Sequence, residues 1–385
     1  MNKFGRNVVV ALMVLLSFSV WAQQAVVAKS KSDVSMKLEL EAAIGKGLSW
    51  LAGQQKADGT WGEPEYPALS ALALTAFQGD PSGTYKRKYE GNIKKGYDQL
   101  VKYAKPDGGI YAEKLPNYNT SISLMALVVA NNLGYEPVMK KARNFLVGLQ
   151  DNLGDDVAVN GGIGYGGRYK HSDLNNTLNS LEALHYTRFL KSDVANDPEA
   201  KELNWKAAIQ FVSRTQNLPG SNDQKWASDD PANKGGFVYF PGHSMAGEQK
   251  LDGDKVALRS YGSMSYAGLL SLIYAQVDKS DPRIKAVVEW LSKNYTLAEN
   301  PGMGQEGLYY YFHTMAKGLS AAGIDTLTLR DGTKVNWRQD LAKRLLNLQK
   351  ADGSWANDNG RWMEKDPILV TSYAAITLEI VQRGL

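Results

Sequence analysis

The chain has 385 residues, no cysteine and a formal net charge of +4, part of which comes from Lys3 and Arg6 near its start. Without cysteine it has no disulfides, thiolate metal ligands, catalytic thiols or thioesters, and a nearly neutral remainder with no basic run argues against a nucleic-acid partner. Length alone would suggest two or three domains, a prior that repeat architectures break.

Residues 1–22 read as a secretory signal. Lys3 and Arg6 supply the positive start, Val8–Val20 the apolar run and Val20-Trp21-Ala22 a cleavage sequence, so the mature chain is expected to start at Gln23 and to be periplasmic or secreted. The apolar run is about a dozen residues, short for a membrane span of about twenty. Residues 23–38 are polar and aperiodic and read as a lead-in.

From 39 to 385 one unit recurs: an amphipathic helical segment, a glycine-containing turn often followed by an aromatic, then a helix rich in Ala, Leu and Ser. The first copy has Ile44–Gln55, the turn Asp58-Gly59-Thr60-Trp61 and Ala68–Phe77. The last has Leu341–Gln349, Asp352-Gly353-Ser354-Trp355 and Val370–Ile380. Gln55–Trp61 (QKADGTW) and Gln349–Trp355 (QKADGSW) differ by one Thr-to-Ser exchange. Looser copies centre on Pro106-Asp107-Gly108-Gly109, Gly161-Gly162, Gly235-Gly236-Phe237 and Gly307-Leu308-Tyr309, which makes six. The Ala- and Leu-rich second helices are apolar on most faces and must be buried, whereas the charged first helices can face water. An all-α double ring follows, an α6/α6 toroid of six helical hairpins whose inner-helix N-termini converge on one end of a central hollow. The competing arrangement is an open superhelix, but matching terminal motifs suit a ring whose last unit packs on its first.

The third copy carries the densest polar chemistry, in GGIGYGGRYKHSDLNNTLNSLEAL (Gly161–Leu184). Its glycines permit tight turns, so Tyr165, Arg168, Tyr169 and His171 are expected to crowd one helix entrance at which Asp173 caps the free N–H groups, with Asn175, Asn176 and Thr177 in the first turn. Elsewhere, Asp229-Asp230 reads as a solvated loop, and His185 as a hydrogen-bonded packing residue inside a helix. Tyr309-Tyr310-Tyr311 opens an inner helix and suits either core or the lining of a hollow.

Lys46-Gly47-Leu48-Ser49-Trp50-Leu51, followed by Gln55 and Gly59-Thr60-Trp61, resembles the QW repeats of squalene–hopene cyclases, and the whole mature chain resembles the prenyltransferase and squalene oxidase repeat family. That resemblance implies an α6/α6 toroid in which the repeat Gln ties its helix to a neighbouring backbone and the Trp stacks over it, giving Gln55, Trp61, Gln349 and Trp355 structural roles. The catalytic motifs of the family transfer poorly. The acid-bearing DxDDT motif of the cyclases corresponds to Asp173-Leu174-Asn175-Asn176-Thr177, where the proton-delivering position is an amide that cannot protonate an alkene. Those cyclases also use two helical domains, and this chain has room for one. Tyr311-Phe312-His313-Thr314 resembles the zinc-binding segment of protein prenyltransferase β subunits, but the preceding inner helix, Arg259–Ser265, has neither the acid nor the thiol. One histidine does not make a zinc site, and only Asp173 or Glu306 could join it. Met245-Ala246-Gly247-Glu248-Gln249 is similar to the thioester segment of complement-like toroids with alanine at the thiol position. No metal and no cofactor are expected.

The expected site is a pocket at the inner-helix N-termini, with Asp173 and His313 as candidate catalytic groups and Tyr165, Arg168, His171, Asn176, Arg259, Tyr261 and Tyr310 as candidate ligand contacts. Arg168 and Arg259 are expected to pair with Asp173 and hold it ionised. Three functions stay open, and the chain is not assigned as an enzyme on sequence alone: binding or conversion of an isoprenoid, a non-catalytic periplasmic binding or scaffold module, and a carbohydrate-active enzyme using a glycan. Protein partners are left undetermined by the sequence.

Overall fold

The computed structural model describes residues 31–154, 157–167, 171–190, 202–251 and 256–385. The expected leader and the start of the lead-in lie outside the described residues. The rest of the expected lead-in is already helical: α1 runs Lys31–Gln54, and no Pro or Gly interrupts it before Gly45.

The remaining helices among the described residues are α2 (Pro67–Gly79), α3 (Thr84–Lys88), α4 (Glu90–Leu100), α5 (Pro116–Ala130), α6 (Glu136–Gly148), α7 (Leu174–Tyr186), α8 (Trp205–Ser213), α9 (Gly262–Tyr274), α10 (Pro282–Lys293), α11 (Leu308–Ala322), α12 (Trp337–Leu348) and α13 (Pro367–Gly384). Helices α2, α5, α7, α9, α11 and α13 pack each on the next, and α13 returns to α2, closing an inner ring. Helices α1, α4, α6, α8, α10 and α12 lie outside them. Two antiparallel ribbons, β1 (Glu248–Lys250) with β2 (Val256–Leu258) and β3 (Thr326–Thr328) with β4 (Lys334–Asn336), decorate the connections.

A shared turn holds the copies together. Gly59, Gly108, Gly161, Gly235 and Gly353 take φ of 84–97°, which side chains rarely adopt, and a Cβ at any of them would lie 2.2–2.7 Å from a carbonyl oxygen of the next copy's outer helix. For Gly353 that carbonyl belongs to Lys46 of α1, so the sixth copy packs on the first. The N–H that follows each turn (Trp61, Ile110, Ile163, Phe237, Trp355) donates at 2.8–3.1 Å to an inner-helix hydroxyl, from Ser70, Thr120, Thr177, Ser265 and Thr371 in turn. Thr177 therefore serves the repeat.

Gln55, Gln150, Gln216 and Gln349 each donate to the carbonyl of their own turn glycine and to a second carbonyl, of Asn92, Asn204, Arg283 and Ala43 respectively. The indoles of Trp61 and Trp355 donate back to Leu51 and Leu345 and pack against Gly96 and Gly47 of the next outer helix. The fifth copy departs from this plan. Gly307, expected at a repeat turn, is instead the left-handed N-cap of α11 (φ 63°).

Candidate functional site

The inner-helix N-termini converge, and between them lies a cavity of about 330 Å³. Three of these helices start with proline at their first position, preceded by Tyr66, by Leu115 and by the segment Trp362–Asp366. Proline fixes the entry geometry of a helix without sacrificing a needed N–H, so the residue before it is held at the helix mouth. Seven tyrosines reach the cavity: Tyr66, Tyr118, Tyr165, Tyr239, Tyr261, Tyr310 and Tyr373. Several hydroxyls are already paired, Tyr118 with Tyr373 at 3.1 Å, Tyr239 with Tyr165 at 3.3 Å, and Tyr310 with Asn175 Oδ1. With their polar ends engaged in this way, these rings turn aromatic surface to whatever occupies the space.

Backbone strain gathers here. Leu115 (φ 49°), Trp362 (φ 54°) and Met363 (φ 65°) are three of the five non-glycine residues with left-handed φ among the described residues, and all three line the cavity. Such conformations cost about 1–3 kcal/mol each and persist where the surroundings enforce them, which marks a built wall rather than a chance gap.

The lining carboxylate is Glu364, which is buried. It accepts from the backbone N–H of Tyr309 (3.2 Å) and Tyr310 (2.8 Å) and from Asn357 Nδ2 (2.7 Å), so it caps α11. Burial raises its pKa above the ordinary carboxylate range, and the hydrogen bonds from Asn357 and the α11 backbone oppose that rise.

Of the residues expected at the site, Tyr165, Tyr261 and Tyr310 line the cavity. Asp173 and Asn176 are fully buried, outside the lining: Asp173 caps α7, accepting from Asn176 N (2.9 Å) and Asn176 Nδ2 (2.8 Å). The expected arginine clamp on Asp173 is corrected in part. Arg259 is exposed, with its backbone tied to Gly247 and Ser244, and Arg168 lies outside the described residues. Burial pushes the Asp173 carboxyl up to about 7, against hydrogen bonds from Asn176 and Tyr239 that lower it.

His171 is also outside the cavity lining. It is exposed, and its ring packs on Phe240 at 4.9 Å. His313 stacks on Tyr373 at 5.0 Å, behind the wall, and burial together with the Lys317 charge holds it neutral, its pKa well below the usual range. Among the described residues no group of three His, Asp or Glu side chains is placed to hold a metal ion.

Tyr66, Leu115, Tyr118, Tyr239, Trp362, Met363, Glu364 and Tyr373 line the cavity as well and are not among the residues expected there. The expected pocket draws its residues from the entrances of the third, fourth and fifth copies, and the same rule holds for the others. Extended to the prolines at 67, 116 and 367, it names Tyr66, Leu115 and the segment before α13.

No protein-family model and no curated protein matches the sequence. Solved structures match over nearly their whole length. A variant of the type II terpene cyclase MstE from Scytonema, in complex with merosterolic acid A as product, is 13% identical with a TM-score of 0.54, covering 91% of this chain and 99% of that one. Another MstE variant, in complex with geranylgeranyl dihydroxybenzoate as substrate, is 13% identical with a TM-score of 0.53 over the same shares. The GH76 α-mannanase of Bacteroides thetaiotaomicron is 13% identical with a TM-score of 0.55, covering 90% and 96%. The shared feature is the fold. This chain is a helical toroid.

Proposed function

We propose that the toroid binds an isoprenoid or a similarly apolar small molecule in the tyrosine-lined cavity and holds it without proton-initiated cyclisation. The observation that carries this reading is the pairing of an aromatic, strained, enclosing wall with an amide, Asn175, at the cavity position where the resemblance to cyclases calls for an acid. An amide has no proton acidic enough for an alkene. Asp173 is protonated over much of the acid range but lies behind the wall, its oxygens accepting from Asn176 and from Tyr239, which stands between it and the cavity. The terpene cyclase likeness, with its isoprenoid substrate and product complexes, supports the same ligand class.

The mannanase likeness supports a glycan instead. Glycoside hydrolysis uses two carboxyl groups flanking the bond, and Glu364 is the one carboxylate lining the cavity among the described residues. The apolar ligand is therefore the better match. The proposal includes export, with the chain beginning at Gln23 in a periplasmic or extracellular compartment, so intact-mass measurement of native protein should show loss of Met1–Ala22.

The deciding experiment is native mass spectrometry of the purified protein with farnesol and with a mannose oligosaccharide, followed by extraction and analysis of the ligand. Retention of farnesol, recovered unchanged, is expected. Oligosaccharide binding without farnesol binding, or recovery of a cyclised product, overturns the reading.

A further inference from the structure

Beneath the cavity, α7 and α11, the two inner helices that flank α9, are joined to each other at two levels. At the upper level Tyr310 donates to Asn175, and both residues line the cavity. At the lower level Lys317 pairs with Glu182, whose other oxygen accepts from Tyr274 at 3.2 Å. Residues 175, 179 and 182 recur at i, i+4 and i+7, and 310, 313 and 317 at i, i+3 and i+7, so each set shares one helix face. Asn179 and His313 thus occupy the level between the two bridges.

At this middle level two polar atoms are left unmatched among the described residues. His313 Nδ1 and Asn179 Nδ2 are buried and have no hydrogen-bond partner among the described residues, on side chains 8% and 6% exposed. Two polar atoms left this way in one layer are costly unless a third group meets them.

We infer that this layer is a hydroxyl-binding subsite, so that the cavity's ligand is a neutral alcohol whose OH bridges Asn179 and His313. The inference rests on the apolar-ligand reading above and narrows it. A hydroxyl both donates and accepts, so it serves an amide N–H and a bare imidazole nitrogen together, and it also serves the reversed assignment of either side chain. A ketone or ether can only accept. An ion would find no free counter-charge, because Glu182 and Lys317 already satisfy each other and His313 is held neutral by burial. To reach the layer the ligand must displace the Tyr373 ring, which stacks on His313 and forms part of the cavity wall.

Calorimetric titration of the full mature chain with farnesol and with farnesyl methyl ether tests this. The alcohol should bind wild type about tenfold more tightly, the value of one good hydrogen-bonding group. The preference should vanish in Asn179→Leu and in His313→Phe, with the ether losing no more than the single bond that its oxygen can accept from Asn179. Equal affinity of alcohol and ether for wild type, or a preference that survives both variants, overturns the subsite and leaves the apolar pocket standing. Binding of neither ligand overturns the pocket reading and this inference with it. The wild-type comparison decides the matter even where a substitution impairs folding.

Discussion

Asp173 caps α7 as an acceptor, and burial at the same position disfavours its charge. In the unfolded chain it titrates near its reference value of 3.8, and in the fold near 7. Between those values the folded state holds a proton that the unfolded state has released. This contribution to stability is therefore complete below about pH 4 and is lost as pH rises through about 7. Glu364 and Glu379 shift in the same direction, so the difference between a variant and wild type isolates Asp173. Asparagine can cap the helix without ionising, and the unpartnered Oδ1 of Asn176 is available to accept from its amide. Asp173→Asn should match wild-type thermal stability near pH 4 and exceed it increasingly toward pH 8; a constant difference across that range counts against the buried acid. Trp362 gives a second residue-scale prediction. Glycine accepts φ of 54° without strain, so Trp362→Gly should cost little or no stability in thermal unfolding and yet weaken farnesol binding several-fold, because it removes part of the cavity wall. Tyr165, Tyr261 and Tyr310 are legible in the sequence as cavity-lining residues because each lies near an inner-helix entrance. His171, by contrast, lies outside the cavity lining, with its ring packed on Phe240.

The repeat was legible at the level of elements where its turn was short. Gln55 and Gln349 stand four residues before their glycines, whereas Gln150 and Gln216 make the same two hydrogen bonds across 11 and 19 residues. An insertion within the turn leaves the geometry intact and destroys the spacing that a reader of the sequence would search for. The equivalence predicts equal consequences: Gln216→Ala and Gln349→Ala should each lower stability by about 1–3 kcal/mol in urea titrations, since each strips partners from two carbonyls, with ligand affinity unchanged. If Gln216→Ala is neutral while Gln349→Ala is costly, the fourth copy does not share the device. The fifth copy shows the opposite failure, in that Gly307 looks like a turn glycine and serves as a helix cap. Glycine at a left-handed position is common to both uses, and the sequence around it does not separate them.

For the whole molecule, the twin QKADG turns predicted a ring, and the ring is what brings them to one helix. Helix α1 receives Gly353 and Trp355 along Lys46 and Gly47, and its Leu51 carbonyl accepts from Trp61. The bond from Gln349 to Ala43 spans 306 residues of chain. That separation bears on the order in which the protein can be made. Emerging from its N-terminus, α1 has no permanent neighbour on its Gly47 side until the last copy has been synthesised, and contacts so distant in sequence form late. Until the last copy is in place the ring cannot close, and the faces of α1 and α2 that receive it stay uncovered. A truncation ending before Leu341 should therefore aggregate or remain bound to chaperones, visible in pulse-labelled synthesis as persistent protease sensitivity, whereas a chain released with its last helix in place should become resistant in a single step.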